Sequence, residues 1–300
     1  MTKVSVIICT HNPRPDIFSE VLGALRGQTV PTTEWELLLI DNLSEPPVPS
    51  DAVEWHPHAR LIQEKQLGSA QARIRGISEA IGELLLFTDD DAILAADYIE
   101  RAVHISKTHP QIGVFGGNIE LRTEIPVPIY FEPHLDILAK RKVPEAAWGR
   151  LYLDAIVPCG AGMVFKQEVA HAYMNRISNI GRRLGRRGKD DLTSGEDNDL
   201  AFTACDLGLG IGLFPELQLT HVIPKERLTK EYMLKLMEGI SFSTCILAAL
   251  RPGMPSVSSA QHRIAKLIEY VMTGRFSWSV AKAKLRGQRR ATEYLREAGK

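Results

Sequence analysis

Along the first 120 residues, short runs that are apolar at nearly every position alternate with longer stretches in which apolar residues recur every three or four positions. The continuous runs are VSVIIC (4–9), ELLLID (36–41), ARLIQE (59–64), ELLLFT (83–88) and IGVFGGNIE (112–120), and the periodic stretches are 16–28, 69–82 and 95–109. Short apolar runs bounded by polar turns predict buried strands, and the wider spacing predicts amphipathic helices. Strands apolar on both faces that alternate with helices predict a parallel sheet covered on each side. Ligands of such sheets collect beyond the carboxyl ends of the strands. The polar segments THNPRPD, DNLSEPP, KQLGS and DDDA each follow a predicted strand, so these four loops are expected to share one site.

Farther on the pattern changes. Prolines in RTEIPVPIYFEP (122–133) suggest a loop or edge segment, and VPCGAGMVFKQEVAHAYM (157–174) reads as a Gly-rich turn and strand leading into a helix. The basic run GRRLGRRGKDD (181–191) has little to bury and is expected to be an exposed loop. From Thr229 the spacing is helical, interrupted at RPGMPSVSS (251–259). The expected organisation is a main domain over 1–228, with halves 1–120 and 121–228, followed by a helical extension over 229–300.

Composition narrows the class. With 44% hydrophobic and 24% charged residues and no net charge, the chain reads as an ordinary globular protein without the basic field that nucleic acid selects. Its four cysteines, Cys9, Cys159, Cys205 and Cys245, show no metal-ligand spacing and are expected to be reduced core residues. No leader-like segment and no run of about 18 apolar residues is evident, so a cytoplasmic location is expected. The last stretch, 274–300, carries Arg275, Lys282, Lys284, Arg286, Arg289, Arg290, Arg296 and Lys300 against Glu293 and Glu297. It reads either as a solvated helix face or as a peripheral contact with an anionic membrane, to which Trp278 and Phe276 would add apolar area.

Candidate chemistry begins at Asp89, Asp90 and Asp91, which directly follow a buried strand. Adjacent carboxylates repel one another and call for a positive partner. One solution is Mg²⁺ or Mn²⁺, which keeps positions open for phosphate oxygens, and the other is a plain acidic turn. In SGEDNDLAF, Glu196, Asp197 and Asp199 open a predicted helix, where a carboxylate serves either as a cap or as a general base. His221 ends another apolar segment and reads either as structural or as a metal ligand beside Asp91.

Taken in order, these pieces resemble the family 2 glycosyltransferases, whose fold is GT-A. VSVIICTHNPRP matches their first strand and Thr-x-Asn loop, and ELLLIDN their strand ending in Asp. LGSAQARIRGISEAIGELLLFTDDDAIL matches their Gly, Ala-Arg, Gly-Ile and Asp-x-Asp succession. GEDNDLAF matches their Glu-Asp motif, and THVIPKERLTKEY the His-containing segment after it. The resemblance spans about Val4 to Tyr232. It implies an α/β, Rossmann-like mixed sheet flanked by helices, and a metal-dependent, inverting transfer of sugar from a nucleotide donor, UDP-linked above all, to a glycan or lipid-linked hydroxyl in cell-surface synthesis. By the same resemblance Asp41 contacts the nucleotide base, with Thr10 and Asn12 in the same pocket, and Arg73 approaches the phosphates. Asp89 contacts the ribose or sugar, Asp90 joins the donor contacts without a distinct role, and Asp91 and His221 hold Mn²⁺ or Mg²⁺. Asp197 is the base, with Glu196 beside it.

The chain departs from the family pattern at Cys9, where Pro is frequent, at Ile74, where Asn is frequent, and at Gly160–Gly162. It has no Gln-x-x-Arg-Trp segment, which implies single addition over polymerisation. Two alternatives are a phosphatase of the haloacid dehalogenase type, whose nucleophile also follows an apolar strand, and a scaffold that binds a nucleotide-sugar without turnover. The phosphatase motif carries Thr or Val where this chain has Ile93, and a scaffold needs neither acidic cluster.

Overall fold

The computed structural model describes residues 3–152, 154–177, 184, 192–251, 254 and 275–299. Its first half follows the alternation in the sequence. Strands β1 (Val4–Thr10), β2 (Trp35–Asp41), β3 (Ala59–Gln63) and β4 (Leu84–Asp89) form a parallel block in the order β3-β2-β1-β4. Helices α1 (Pro15–Arg26) and α2 (Ser69–Glu79) connect them, and α3 (Tyr98–Thr108) follows the acidic turn. Side chains alternate across the sheet, so Val6, Ile8, Leu37 and Leu86 join one core while Ile7, Leu38, Leu85 and Phe87 join the other. The first core is covered by α1 and α3, through residues such as Val21, Leu25 and Ile99. The second is covered by α2, α4 (Gln167–Arg176) and α5 (Glu196–Asp206), through residues such as Ile77, Val169 and Leu200.

Beyond β4 the strand directions become mixed, as the family resemblance implies. The sheet continues β8 (Val164–Lys166), β6 (Ile112–Thr123), β9 (Gly210–Ile223) and β5 (Ala92–Leu94), with β8 antiparallel to both β4 and β6. Strand β7 (Ala147–Gly149) pairs with the beginning of β9. The sheet is therefore mixed. Periodicity does not reveal β5 and β7 because three residues are too few to show alternation. The Pro-rich 122–133 segment starts on the last residues of β6 and continues into a short 3₁₀ stretch, Ile129–Leu138.

The C-terminal helices are α6 (Lys230–Leu250) and α7 (Arg275–Glu297), which pack on each other. By length and composition α6 could cross a membrane, yet Met233, Leu236, Phe242, Ile246 and Leu247 are buried against the rest of the protein. At its end Arg251 is only 2% exposed and forms ion pairs with Asp199 at 2.8 Å and Asp206 at 2.5 Å, tying α6 to α5. Beyond residue 228, Leu236, Ile240 and Leu247 of α6 form one wall of the central cleft. The basic loop residues Arg182, Arg183, Arg186, Arg187 and Lys189 lie outside the described residues.

Candidate active site

A cleft of about 610 Å³ opens at the carboxyl ends of β1 and β4, closed on the far side by the start of α5 and one face of α6. Thr10, the last residue of β1, is buried and donates its hydroxyl to Asp90. Burial, and then the charge of Asp91, push the Asp90 carboxyl up to about 7. The neighbouring loops are stapled by Asn42. Its amide donates to the Gln66 carbonyl at 2.8 Å, its side-chain oxygen accepts from the Gly68 N–H at 2.7 Å, and its carbonyl oxygen meets His11 Nδ1 at 2.8 Å.

Arg73, one turn into α2, joins the two acidic clusters. Its guanidinium donates to Glu196 at 2.9 Å and to Asp89 at 3.3 Å. Burial alone would lower its pKa, but the carboxylates of Asp89, Glu196 and Asp197 outweigh burial and hold it above the ordinary value. The guanidinium lies directly on Gly160, where a Cβ would collide with it, so glycine at this position is what admits the arginine. The Gly160 N–H in turn donates to Asp197 at 3.0 Å, while the other Asp197 oxygen accepts from the Asn198 N–H at 2.9 Å. Glu196 is buried against Arg73, whereas Asp197 keeps part of its surface open to the cleft. No side chain caps α5.

Asp91 and His221, 130 positions apart, meet because β5 and β9 pair with Ala92 opposite His221. Asp91 Oδ1 stands 3.3 Å from His221 Nε2, and His221 Nδ1 stands 3.0 Å from the Leu138 carbonyl oxygen. That carbonyl makes Nδ1 the donor and directs Nε2 at the carboxylate. Burial works against a charged imidazole here, but Asp91 outweighs it and raises the His221 pKa. Arg227 completes the group, 3.0 Å from Asp91 and 3.4 Å from His221 Nε2. A carboxylate oxygen and an oriented imidazole nitrogen converging from two strands fit Mn²⁺ or Mg²⁺ that takes its other ligands from phosphate and water. No group of three or more His, Cys, Asp or Glu that could hold a metal exists among the described residues.

Two of the expected residues, Asp41 and Asn12, stand behind the cleft wall. The Asp41 carboxylate accepts from the N–H groups of Ser44 at 3.0 Å and Val48 at 3.2 Å, so it shapes the β2 loop and does not line the cleft. Asn12, with φ of 53°, braces the same loop by accepting from Glu45 N–H at 2.7 Å, and it too is off the cleft wall. Cys9 and Cys159 pack against the two cores, as expected, and also reach the cleft. Burial pushes their thiols up to about 12 and about 11, which makes them poor nucleophiles. All four cysteines are free.

The other expected residues, Thr10, Arg73, Asp89, Asp90, Asp91, Glu196, Asp197 and His221, converge on the cleft. Sequence reasoning missed His11, Asn42 and Arg227. Arg227 lies six residues after His221 in the same segment, and only the packing of the turn shows it returning to Asp91.

This geometry agrees with what the chain is similar to. It aligns with a Haloferax volcanii protein named glycosyltransferase AglE at 34% identity over 122 residues, 39% of each chain. It aligns with the glucosyl-dolichyl phosphate glucuronosyltransferase of the same organism at 24% over 183 residues, 60% of this chain and 58% of that one. The matches thus span less than two thirds of these relatives' lengths. The solved structure of mannosyltransferase PcManGT from Pyrobaculum calidifontis, in complex with GDP-Man and Mn²⁺, superposes with a TM-score of 0.54 at 19% identity, over 94% of this chain and 73% of that one. The fold is thereby the GT-A glycosyltransferase fold. The family model described as glycosyl transferase family 2 matches residues 5–173, more than half of the sequence, and the chain belongs to that family.

Proposed function

We propose that the protein transfers a sugar from a nucleoside-diphosphate donor to an acceptor hydroxyl in one displacement that inverts the anomeric centre. The observation that carries this reading is the pair of acidic clusters facing one cleft, Asp89–Asp91 at the end of β4 and Glu196–Asp197 at the start of α5, joined by Arg73. The donor diphosphate lies over the β4 end. Asp91 and His221 are placed to hold Mn²⁺ or Mg²⁺, which would supply positive charge to the departing nucleoside diphosphate. The Mn²⁺ and GDP-Man bound in the PcManGT structure support a cation and a nucleotide-sugar here.

The chain's own residues divide the remaining work. Asp197 removes the acceptor proton as the hydroxyl attacks from the face opposite the diphosphate. The N–H groups of Gly160 and Asn198 hold its carboxylate in place, and each oxygen retains a lone pair for the proton. Glu196 is a positioning residue that fixes Arg73, and Arg73 is aimed by it at the donor side. Thr10 and Asp90 close the bottom of the donor pocket. A lipid-linked or glycan acceptor is the reading we adopt, supported by the dolichyl phosphate in the name of one relative. The match to this family replaces the phosphatase alternative.

The test is a panel of UDP-, GDP- and dTDP-sugars with Mn²⁺ or Mg²⁺, monitored for nucleoside diphosphate release, followed by Asp197→Asn. The variant is expected to bind donor and cation as before and to lose transfer by about a hundredfold or more. Transfer near the original rate would remove Asp197 from the role of base. Donor binding without any turnover in the parent protein would favour the scaffold reading.

A further inference from the structure

Helix α7 presents two unlike faces. Its inner face packs on α6 through Val280, Ala283 and Ala291, and Gly287 allows the close approach, since a Cβ there would strike the Glu238 carbonyl oxygen. Two of its cations are spent inside this contact, Arg286 and Arg290, which pair with Glu238 at 2.7 and 2.9 Å. The outer face is different. Trp278, Lys282, Leu285, Arg289, Thr292 and Arg296 are all exposed, and at 100° per residue they fall within an arc of roughly 80°. Trp278 is 49% and Leu285 52% exposed, and the Lys282 ammonium lies 5.6 Å from the Trp278 ring centre.

Glu293 and Glu297 are exposed as well and flank this stripe on one side, about 20° and 60° beyond Lys282, so within the arc itself the charges are cationic. At the start of α7, Phe276 packs against Tyr130 at 4.9 Å. Phe276 itself is thereby used in the protein interior and does not provide the apolar contact expected of it.

We propose that the outer face of α7 docks on an anionic lipid bilayer surface. Alternating cations with tryptophan and leucine on one arc suits the boundary between charged headgroups and acyl chains, where an indole and a leucine are buried shallowly while the cations stay at headgroup level. Leu236, Ile240 and Leu247 of α6 line the cleft while Met237 and Phe242 face α7, so both helices, about 20 Å in all, lie between the bilayer contact and the cleft. The inference does not depend on the proposed chemistry, because binding is read without substrate.

The experiment is co-sedimentation of the full chain with phosphatidylcholine vesicles that contain or lack phosphatidylglycerol, at low and high salt. The protein is expected to sediment with the anionic vesicles at low salt, and to be released by salt. Each cation at such a surface is worth about fivefold in partitioning, so Lys282→Gln, Arg289→Gln and Arg296→Gln together should weaken it by about a hundredfold. Trp278→Ser with Leu285→Ser should weaken it as well, and unchanged melting temperatures will show that both variants are folded. Failure of the parent protein to sediment, equal sedimentation with neutral vesicles, or undiminished binding by the triple variant would each overturn the proposal. So would binding to heparin as tight as to the anionic vesicles, which would show a generic polyanion site.

Discussion

At the scale of single residues, the acidic triplet after β4 is resolved by unequal partners. Asp89 is paired with Arg73, Asp90 accepts from Thr10, and Asp91 faces both His221 and Arg227. Each carboxylate thus has its own compensation, and only Asp91 stands beside an imidazole directed at it. Arg227 is the residue in this group that the sequence reading did not single out. Because its guanidinium reaches both members of the proposed cation site, it is placed to meet the diphosphate as well. Arg227→Ala is expected to weaken nucleoside diphosphate binding by about tenfold or more, the scale of a lost charged hydrogen bond. Calorimetric titration with UDP and Mn²⁺ measures this, and unchanged affinity would assign Arg227 to structure alone.

At the scale of elements, the helix bearing Asp197 is held by the end of α6. Arg251 is 2% exposed and donates to Asp199 Oδ1 at 2.9 Å, to the Asp199 carbonyl at 2.6 Å and to Thr203 at 3.0 Å, all on α5. Removing one partner of a buried ion pair typically costs about 3–5 kcal/mol, and here Arg176, 3.7 Å from Asp199, remains as a longer partner. Arg251→Ala is therefore expected to lower stability by about 3 kcal/mol, the lower end of that range, measured by urea unfolding. A loss below about 1 kcal/mol would mean that water reaches Asp199 in the variant. In the sequence, RPG interrupts the helical pattern at this arginine, and the pattern shows the break without the ion pair that makes the broken end an anchor.

For the whole molecule, stability is expected to depend on pH through His56, a residue far from the cleft. It is 3% exposed, its ring lies 4.1 Å from that of Trp35, and burial, then the neighbouring His58, lower its pKa to about 4, with Glu36 acting weakly in the other direction. In the unfolded chain it titrates near the ordinary value of about 6.5. Above that value His56 is neutral in both states and contributes nothing. As pH falls from 6.5 towards 4, protonation favours the unfolded chain and stability drops by roughly 3 kcal/mol. His56→Phe should flatten this part of the curve in urea titrations at pH 7 and pH 5, and an unchanged slope would show that other groups set it. The chain's own pattern was enough to specify β1 to β4, α1 to α3 and the loops at their carboxyl ends, because apolar periodicity and turn residues act between near neighbours. It also identified the chemical types in the cleft, since carboxylates and an arginine at strand and helix ends are local features. Only the tertiary structure decided their partners. The mixed half of the sheet sets Ala92 opposite His221, the loop amides claim Asp41, and α6 folds back to wall the cleft. These outcomes depend on register and packing between segments more than a hundred residues apart or on loop amides whose direction no side-chain pattern encodes, so periodicity along the chain carries no trace of them.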